Sequence, residues 1–334
     1  MAKARRIRGV ECNGAATVGM QQALIQRFDE MSDYRADALD WEDPEGVHSM
    51  RVASRRLRSA LRSFLSHLDE RALGPIAKQI KIIADTLGEV RDEDVAIEAL
   101  EDLSKQTPKR FSSTLERLLN SRKEIRETAR RRLKKEIGRT HLKHLRDEFH
   151  RAVISVPQHQ ALSTSPDTQS SYIEVGRMII EDLLSDLEEL SKSLYYPDEV
   201  QPLHDMRIAA KRLRYAIDLF AECWESDIGS FAKHAALLQT DLGLLHDCDV
   251  WIEDFRKQIS SLRKLQNHDE AEAFVWLFTY YQEQRNKHYR EAFFRWSSWQ
   301  TDDLSTKLRD MLHAQNARAI NASGSANASS SLSK

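Results

Sequence analysis

Two stretches of the sequence carry closely spaced basic residues and one histidine each, an arrangement suited to binding anions. The first reads VHSMRVASRRLRSALRSF from Val47 to Phe64, and the second reads LHDMRIAAKRLRYAIDLF from Leu203 to Phe220. Nine of the eighteen aligned positions are identical, at an offset of 156 residues. Arginine offers forked donors for phosphate oxygens, and histidine adds a titratable charge. The repetition indicates one binding surface that occurs twice.

On a helical wheel the first stretch separates into an apolar stripe and a basic stripe. We expect the apolar stripe to face a core. The basic stripe contains no acid and spans roughly 20 Å, which suits an extended polyanion better than one phosphate. A single basic stripe is usually a solvated face, but its recurrence in register argues against that interpretation. The first row is His48, Arg51, Arg55, Arg58 and Arg62, and the second is His204, Arg207, Lys211 and Arg214, after which Asp218 ends it.

A second pair of blocks repeats in the same order, at an offset of 155 residues. Ile76–Glu98 and Phe231–Glu253 share nine of twenty-three positions, which predicts two copies of one helical unit. The shared residues include Lys78 and Lys233, Gly88 and Gly243, Asp92 and Asp247, and Asp94 and Asp249. We expect a helix break at the glycines. We expect the aspartates to pair with arginines of the repeat or to cap a helix, rather than to bind Mg²⁺.

The remaining sequence is typical of helices, because Leu, Ala, Arg, Glu and Lys dominate and apolar residues recur every three or four positions. No alternating strand pattern stands out. We therefore predict an all-α protein with two helical bundles that share a central basic cleft. The predicted divisions are an N-terminal segment (1–19), a first bundle (20–157), a polar linker (158–171), a second bundle (172–316) and a disordered tail (317–334).

Charge is nearly balanced over the whole chain, with 50 Lys and Arg against 52 Asp and Glu. An anion site must therefore come from local clustering. One further cluster runs from Lys105 to Arg146, with fifteen basic residues and four Glu. It reads either as a long solvated helix with ion pairs such as Glu127 with Arg131, or as an extension of the binding surface.

Cysteine content and hydropathy bear on the location of the protein. Three cysteines without a CxxC pair exclude a zinc knuckle and a disulfide framework, and they favour a reducing compartment. The longest apolar run, Ala273 to Phe278, is far shorter than the ~20 residues that a membrane helix needs. The basic N-terminus lacks the apolar region of a secretory signal. We expect a cytoplasmic protein without membrane contact.

The paired blocks resemble the CHAD family, whose name stands for conserved histidine α-helical domain. The resemblance rests on VHxMRVxxRRLR followed by LGxxRDxDV, and on LHDMRIAAKRLRY followed by LGLLHDCDV. It runs from roughly Asp40 to about His313 and implies two bundles related by a pseudo-twofold axis, with basic residues lining a shared central surface. It also implies non-catalytic binding of inorganic polyphosphate, without cofactor or metal, and association with polyphosphate granules and their proteins.

The resemblance assigns binding roles to individual residues. Those in the matching motifs are His48, Arg51, Arg55, Arg58, His204, Arg207, Lys211 and Arg214. A second set comprises Arg56, Lys78, Arg91, Arg212, Lys233 and His246, to which the basic stripe adds Arg62. Arg56 and Arg212 lie off the basic stripe, so pairing with Asp92 or Asp247 is an alternative for them.

Three alternative functions remain at this stage. RNA is also a polyanion, but the stripes lack the interleaved aromatics of single-strand platforms, so we do not expect nucleic acid as the ligand. A metal-dependent phosphohydrolase would use the dipeptides His204–Asp205 and His246–Asp247, but neither is intact in both copies. A scaffold would recruit a protein partner through its acidic segments. No Walker loop, GxSxG elbow or HExxH motif is present.

Overall fold

Helices account for the regular structure of the computed structural model, which describes residues 5–64, 70–155, 170–224 and 227–314. The longer helices are α1 (Ala16–Asp33), α2 (Pro44–Ser63), α3 (Glu70–Ser104), α4 (Ser112–Glu136), α5 (Arg139–Ile154), α6 (Tyr172–Leu190), α7 (Val200–Phe220), α8 (Gly229–Lys264), α9 (His268–Thr301) and α10 (304–314). No β-strand forms within these ranges. The predicted all-α class is confirmed.

The chain divides into two compact units. The first contains Met1–Tyr172 and Glu253–Tyr280, and the second contains Ile173–Ile252 and Tyr281–Lys334. Helices α8 and α9, each about twice as long as α1, therefore contribute residues to both units. The sequence-based division instead assigned 172–316 to one bundle. The predicted linker (158–171) and tail (317–334) lie mostly or wholly outside the described residues.

Helix α2 shows how the sequence sets up a basic face. Asp43 accepts a hydrogen bond from the backbone N–H of Glu45 at 2.9 Å, and Pro44 occupies the first turn. Both features favour helix initiation at this point. The apolar stripe is buried as the helical wheel predicts, which turns the basic stripe away from the core. The buried residues of that stripe include Met50, Ala53, Leu57, Ala60, Leu61 and Phe64.

Three local expectations are wrong. Helices α3 and α8 run without interruption through Gly88 and Gly243, because one glycine costs only about 1 kcal/mol in a long packed helix. The basic cluster is two helices rather than one, since α4 ends at Glu136 and α5 begins at Arg139, after Gly138. Within α4, Glu127 pairs with Arg130 at 2.8 Å, three residues away, instead of Arg131.

Cys248 is a buried free thiol, and burial raises its pKa to about 12. In the described part of the chain, no helix combines the length and apolarity needed to cross a bilayer.

Candidate polyanion-binding site

The basic stripe of α2 lies alongside α3 in the first unit. Arg51 donates from Nη2 to Asp92 Oδ1 at 2.8 Å. Two turns later, Arg58 Nη1 lies 3.5 Å from Asp85 Oδ1. Partners thus move backwards along α3 as the chain advances along α2, so the two helices are antiparallel. We call the surface that carries these residues the α2/α3 face.

The second unit repeats this arrangement with α7 and α8. His204 Nδ1 lies 3.3 Å from His246 Nδ1. Further along, Arg214 donates from Nη1 to Gln239 Oε1 at 3.2 Å. These partners again run backwards along α8, which defines an α7/α8 face equivalent to the α2/α3 face. In each unit, the helix with the basic row thus lies antiparallel to the next long helix of the chain.

The two repeated glycines allow the repeated arginines to lie close to α3 and α8. A Cβ placed on Gly88 would stand 3.8 Å from Arg51 Nε, and one on Gly243 would stand 3.5 Å from Arg207 Nε. These are ordinary van der Waals distances, so a methyl group would fit at either position. The repeated arginines therefore pack against α3 and α8 at the two glycines, where the helices continue without a break.

Several predicted binding cations have no ion pair with any described residue. Arg55 is half-exposed on α2, and Arg91 lies near His48, the histidine at the start of that helix. The lysines are exposed and occupy equivalent positions on α3 and α8. Cations without an ion pair leave a positive field on the face that carries them. The set is Arg55, Lys78, Arg91 and Lys233.

Other predicted residues fall at the margins of the two faces or inside the bundle. Lys211 is half-exposed on α7, and Arg62 is exposed at the end of α2. Arg56 is buried and donates from Nη1 to Glu30 Oε1 at 3.1 Å, so its guanidinium points into the first unit. Its predicted alternative partner Asp92 bonds Arg51 instead. Arg212 is half-buried on α7.

A comparison with protein families decides the classification. The model of the CHAD domain family matches residues 22–256, well over half of the chain. The chain belongs to the CHAD family. The match begins in α1, ends in α8 and includes both basic stripes, which confirms the resemblance found in the motifs.

Solved structures share the CHAD fold of this chain. The crystal structure of the CHAD domain from the plant Ricinus communis matches with a TM-score of 0.65 at 21% identity, covering 93% of this chain and 97% of that one. PptA from Streptomyces chartreusis matches with a TM-score of 0.62 at 18% identity, covering 85% and 100%. At these identities the likeness shows the fold alone. No curated protein matches by sequence.

The three histidines of the two faces, His48, His204 and His246, have pKa values below the ordinary value for histidine. Burial is the main cause that lowers the pKa of His48, of His204 and of His246. Neighbouring arginines lower these pKa values further: Arg91 and Arg51 act on His48, and Arg207 acts on the other two. Near neutral pH, the permanent charge of both faces therefore comes from arginine and lysine.

In each unit, an arginine that the sequence analysis did not identify forms an ion pair with an aspartate of α3 or α8. This pair stabilises the helices that carry the basic face. In the first unit, Arg130 Nη2 lies 3.8 Å from Asp94 Oδ1 and donates to the carbonyl oxygen of Trp41 at 3.5 Å. Arg126 approaches the same carboxylate at 3.4 Å. Burial raises the pKa of Asp94, while these arginines oppose that shift. The contact ties α3 and α4 to the segment that leads into α2.

The second unit has the same support. Arg285 Nε lies 2.5 Å from Asp249 Oδ1, and its Nη2 donates to the carbonyl oxygen of Pro197 at 2.6 Å. The repeat offset of 155 residues relates Arg130 to Arg285, and this was the signal available in the sequence. Asp94 and Asp249 thus pair with arginines outside the repeated blocks. The described residues hold no cluster of three His, Cys, Asp or Glu suited to a metal ion.

We expect Arg285→Met to lower the free energy of unfolding by about 2–4 kcal/mol, because it leaves the buried Asp249 carboxylate and the Pro197 carbonyl without their donor. The double change with Asp249→Asn should cost less than the sum of the single changes. Urea unfolding followed by circular dichroism measures both. Arg256→Met, which removes an exposed pair with Glu253, is the control and should cost under about 1 kcal/mol. If Arg285→Met and Arg256→Met lowered the free energy of unfolding by the same amount, the supporting role of Arg285 would be contradicted.

Proposed function

We propose that this CHAD protein binds inorganic polyphosphate non-covalently through the α2/α3 and α7/α8 faces. The observation that carries the proposal is the recurrence of one cationic arrangement in both units, with cations that have no ion pair among the described residues. An extended polyanion would supply the missing negative charge along each face. Its binding should release counterions and weaken as salt rises.

The ion pairs that do occur on the α2/α3 face are weak enough to be exchanged for phosphate. The side chain of Asp92 is 67% exposed and that of Asp85 is 47% exposed. Exposed pairs of this kind contribute about 0.2–1 kcal/mol. Arg58 can therefore turn from Asp85 to phosphate oxygens at little cost, and Arg51 can exchange its exposed contact with Asp92 in the same way, since arginine binds phosphate with paired donors.

The position of Tyr215 favours polyphosphate over RNA as the ligand. The two cationic stretches contain three aromatic residues, Phe64, Tyr215 and Phe220, and all three side chains are buried. They are therefore unable to stack on a nucleic-acid base from the surface of α2 or α7. Binding to single-stranded RNA gains about 1–3 kcal/mol per stacked base, which these faces would not supply.

The proposal describes a binding protein and not an enzyme. The aspartates that a phosphohydrolase would use to hold a metal are occupied in part by arginines, as Asp94 and Asp249 show. Binding to long chains would also bring the protein to polyphosphate granules, where granule proteins are its expected neighbours.

Titration with long-chain polyphosphate tests the proposed function. We expect tight binding, with log affinity falling against log salt at a slope of about −3 or steeper, since each phosphate contacted on a single strand contributes about −0.7. RNA at equal phosphate concentration should compete weakly, and orthophosphate should hardly compete. The same samples incubated with Mg²⁺ should keep their chain length on a gel.

The outcomes of this titration separate the alternatives. Displacement of polyphosphate by an equal concentration of RNA phosphate would favour a nucleic-acid-binding protein. Shortening of the chains that depends on Mg²⁺ would favour a phosphohydrolase. Absence of binding at low salt would overturn the proposal and leave the scaffold interpretation.

A further inference from the structure

The two cationic faces differ at one chemically important position. His246 of the α7/α8 face corresponds, at the offset of 155 residues, to Arg91 of the α2/α3 face. The histidine opposite is common to both faces, as His204 and His48. The second face therefore has a pair of imidazoles where the first has an imidazole and a guanidinium.

The geometry of the histidine pair favours the uptake of one additional proton and opposes the uptake of a second. The two Nδ1 atoms are 3.3 Å apart, and the ring centroids are 4.2 Å apart. One Nδ1–H can donate to the other nitrogen at this distance. If both rings were imidazolium, two N–H groups would face each other and like charges would be in contact. Protonation of one ring therefore opposes protonation of the other.

The surroundings of the pair are more cationic than anionic in the free protein. From α7, Arg207 acts on both rings, while Lys211 and Asp205 act on His204. From α8, Asp249 favours charge on His246, but that carboxylate is already paired with Arg285 of α9. An anion bound on this face would reverse the balance and stabilise the protonated pair.

Arg91 gives the other face a charge that does not depend on pH. Its guanidinium stays protonated throughout the range in which proteins are folded. It lies near His48, where Arg51 also disfavours a second positive charge and Glu45 favours one. The α2/α3 face thus keeps its cations at pH 8, whereas the α7/α8 face loses any contribution from its imidazoles.

We propose that proton uptake by the His204–His246 pair strengthens anion binding on the α7/α8 face, whereas Arg91 gives the corresponding position of the α2/α3 face a charge that does not depend on pH. This inference rests on the proposed function and assigns a regulation to it. The direction of the pH dependence follows from the linkage between proton uptake and anion binding. A bound polyanion raises the pKa of the pair above its value in the free protein, so binding takes up a proton. Affinity then rises as pH falls through the bound-state pKa and levels off below the free-state pKa.

Exchange of the two residues tests the inference. Affinity for polyphosphate of one defined length is measured between pH 5.5 and 8.5 at constant ionic strength, for wild type, His246→Arg and Arg91→His. We expect wild-type affinity to rise by up to about tenfold per pH unit for each proton taken up. His246→Arg should bind more tightly at pH 8 and show a flatter profile. Arg91→His should bind more weakly at pH 8 and show a steeper profile.

A control and an independent readout complete the design. His144→Gln removes an exposed histidine of α5 and should leave the pH profile unchanged. Histidine ring signals in NMR should show that the protonation of His204 and of His246 shifts to higher pH when polyphosphate is added. Identical pH profiles in wild type and His246→Arg would overturn this inference alone. Absence of polyphosphate binding at every pH would overturn the proposed function as well.

Discussion

Neutralising the four cations that lack ion pairs lowers the affinity for long-chain polyphosphate by about 100-fold. Each lost phosphate contact should weaken binding by about 0.7 kcal/mol or more and reduce the salt slope by about 0.7, so the slope should become shallower by about 3. Titrations at several salt concentrations measure both quantities. The effect is large because none of these four side chains forms an ion pair with a described carboxylate, so their field acts on the ligand. The variant is Arg55→Gln, Lys78→Gln, Arg91→Gln and Lys233→Gln.

A matched control separates this effect from a general change in net charge. The control removes four exposed cations that already have carboxylate partners, and it alters the net charge by the same amount. We expect its affinity to stay within about threefold of wild type, because nearby acids already offset these charges. Equal losses in the two quadruple variants would contradict the assignment of binding to the two faces. The control is Lys105→Gln, Lys123→Gln, Arg256→Gln and Lys257→Gln.

Glu30→Gln should lower the free energy of unfolding by about 3–5 kcal/mol. Glu30 lies between two buried arginines: its Oε2 accepts from Arg27 Nη1 at 2.7 Å, and its Oε1 accepts from Arg56 Nη1 at 3.1 Å. All three side chains are no more than 2% exposed. A neutral amide in this position removes the carboxylate charge that both buried guanidinium groups contact. Urea unfolding monitored by circular dichroism gives the loss of free energy.

Two further variants make the result on Glu30 interpretable. Glu101→Gln removes an exposed pair with Lys123 and should cost under about 1 kcal/mol. Replacement of the whole triad, as Arg27→Met, Glu30→Met and Arg56→Leu, should recover much of the stability, since both guanidinium groups and the carboxylate between them are then removed together. A Glu30→Gln loss as small as that of Glu101→Gln would show that the triad is not a buried charge network in solution.

Arg56 of the triad was assigned to the binding site from the sequence, but the structure places it in the interior. Arg56 and Arg212 are identical at equivalent positions of the two copies, and the family motif assigned both to binding. Arg56 is instead buried against α1, because Glu30 supplies the carboxylate that makes its burial tolerable. Identity between copies does not distinguish a ligand-binding arginine from one that stabilises the interior. The helical wheel did place Arg56 away from the basic stripe.

Helical periodicity alone determined much of the architecture. Residues three and four apart share a face, so the stripes of α2 and α7 could be read directly from residue types. The buried apolar stripe and the exposed or half-exposed Arg51, Arg55 and Arg58 agree with that pattern. Repetition at one offset indicated the two copies and the family. These features are local, or they recur in the sequence, and they need no knowledge of packing.

The tertiary structure alone decided which charges are compensated. Arg51 finds Asp92 41 residues away, and Arg285 finds the carbonyl oxygen of Pro197 88 residues away. Such partners depend on how the helices pack, and many acids could have served as well by sequence. The same packing brings the imidazoles of His204 and His246 together across 42 residues. The sequence thus determined which face carries the cations, and helix packing decided which of them remain available to a ligand, because ion pairing requires proximity in space.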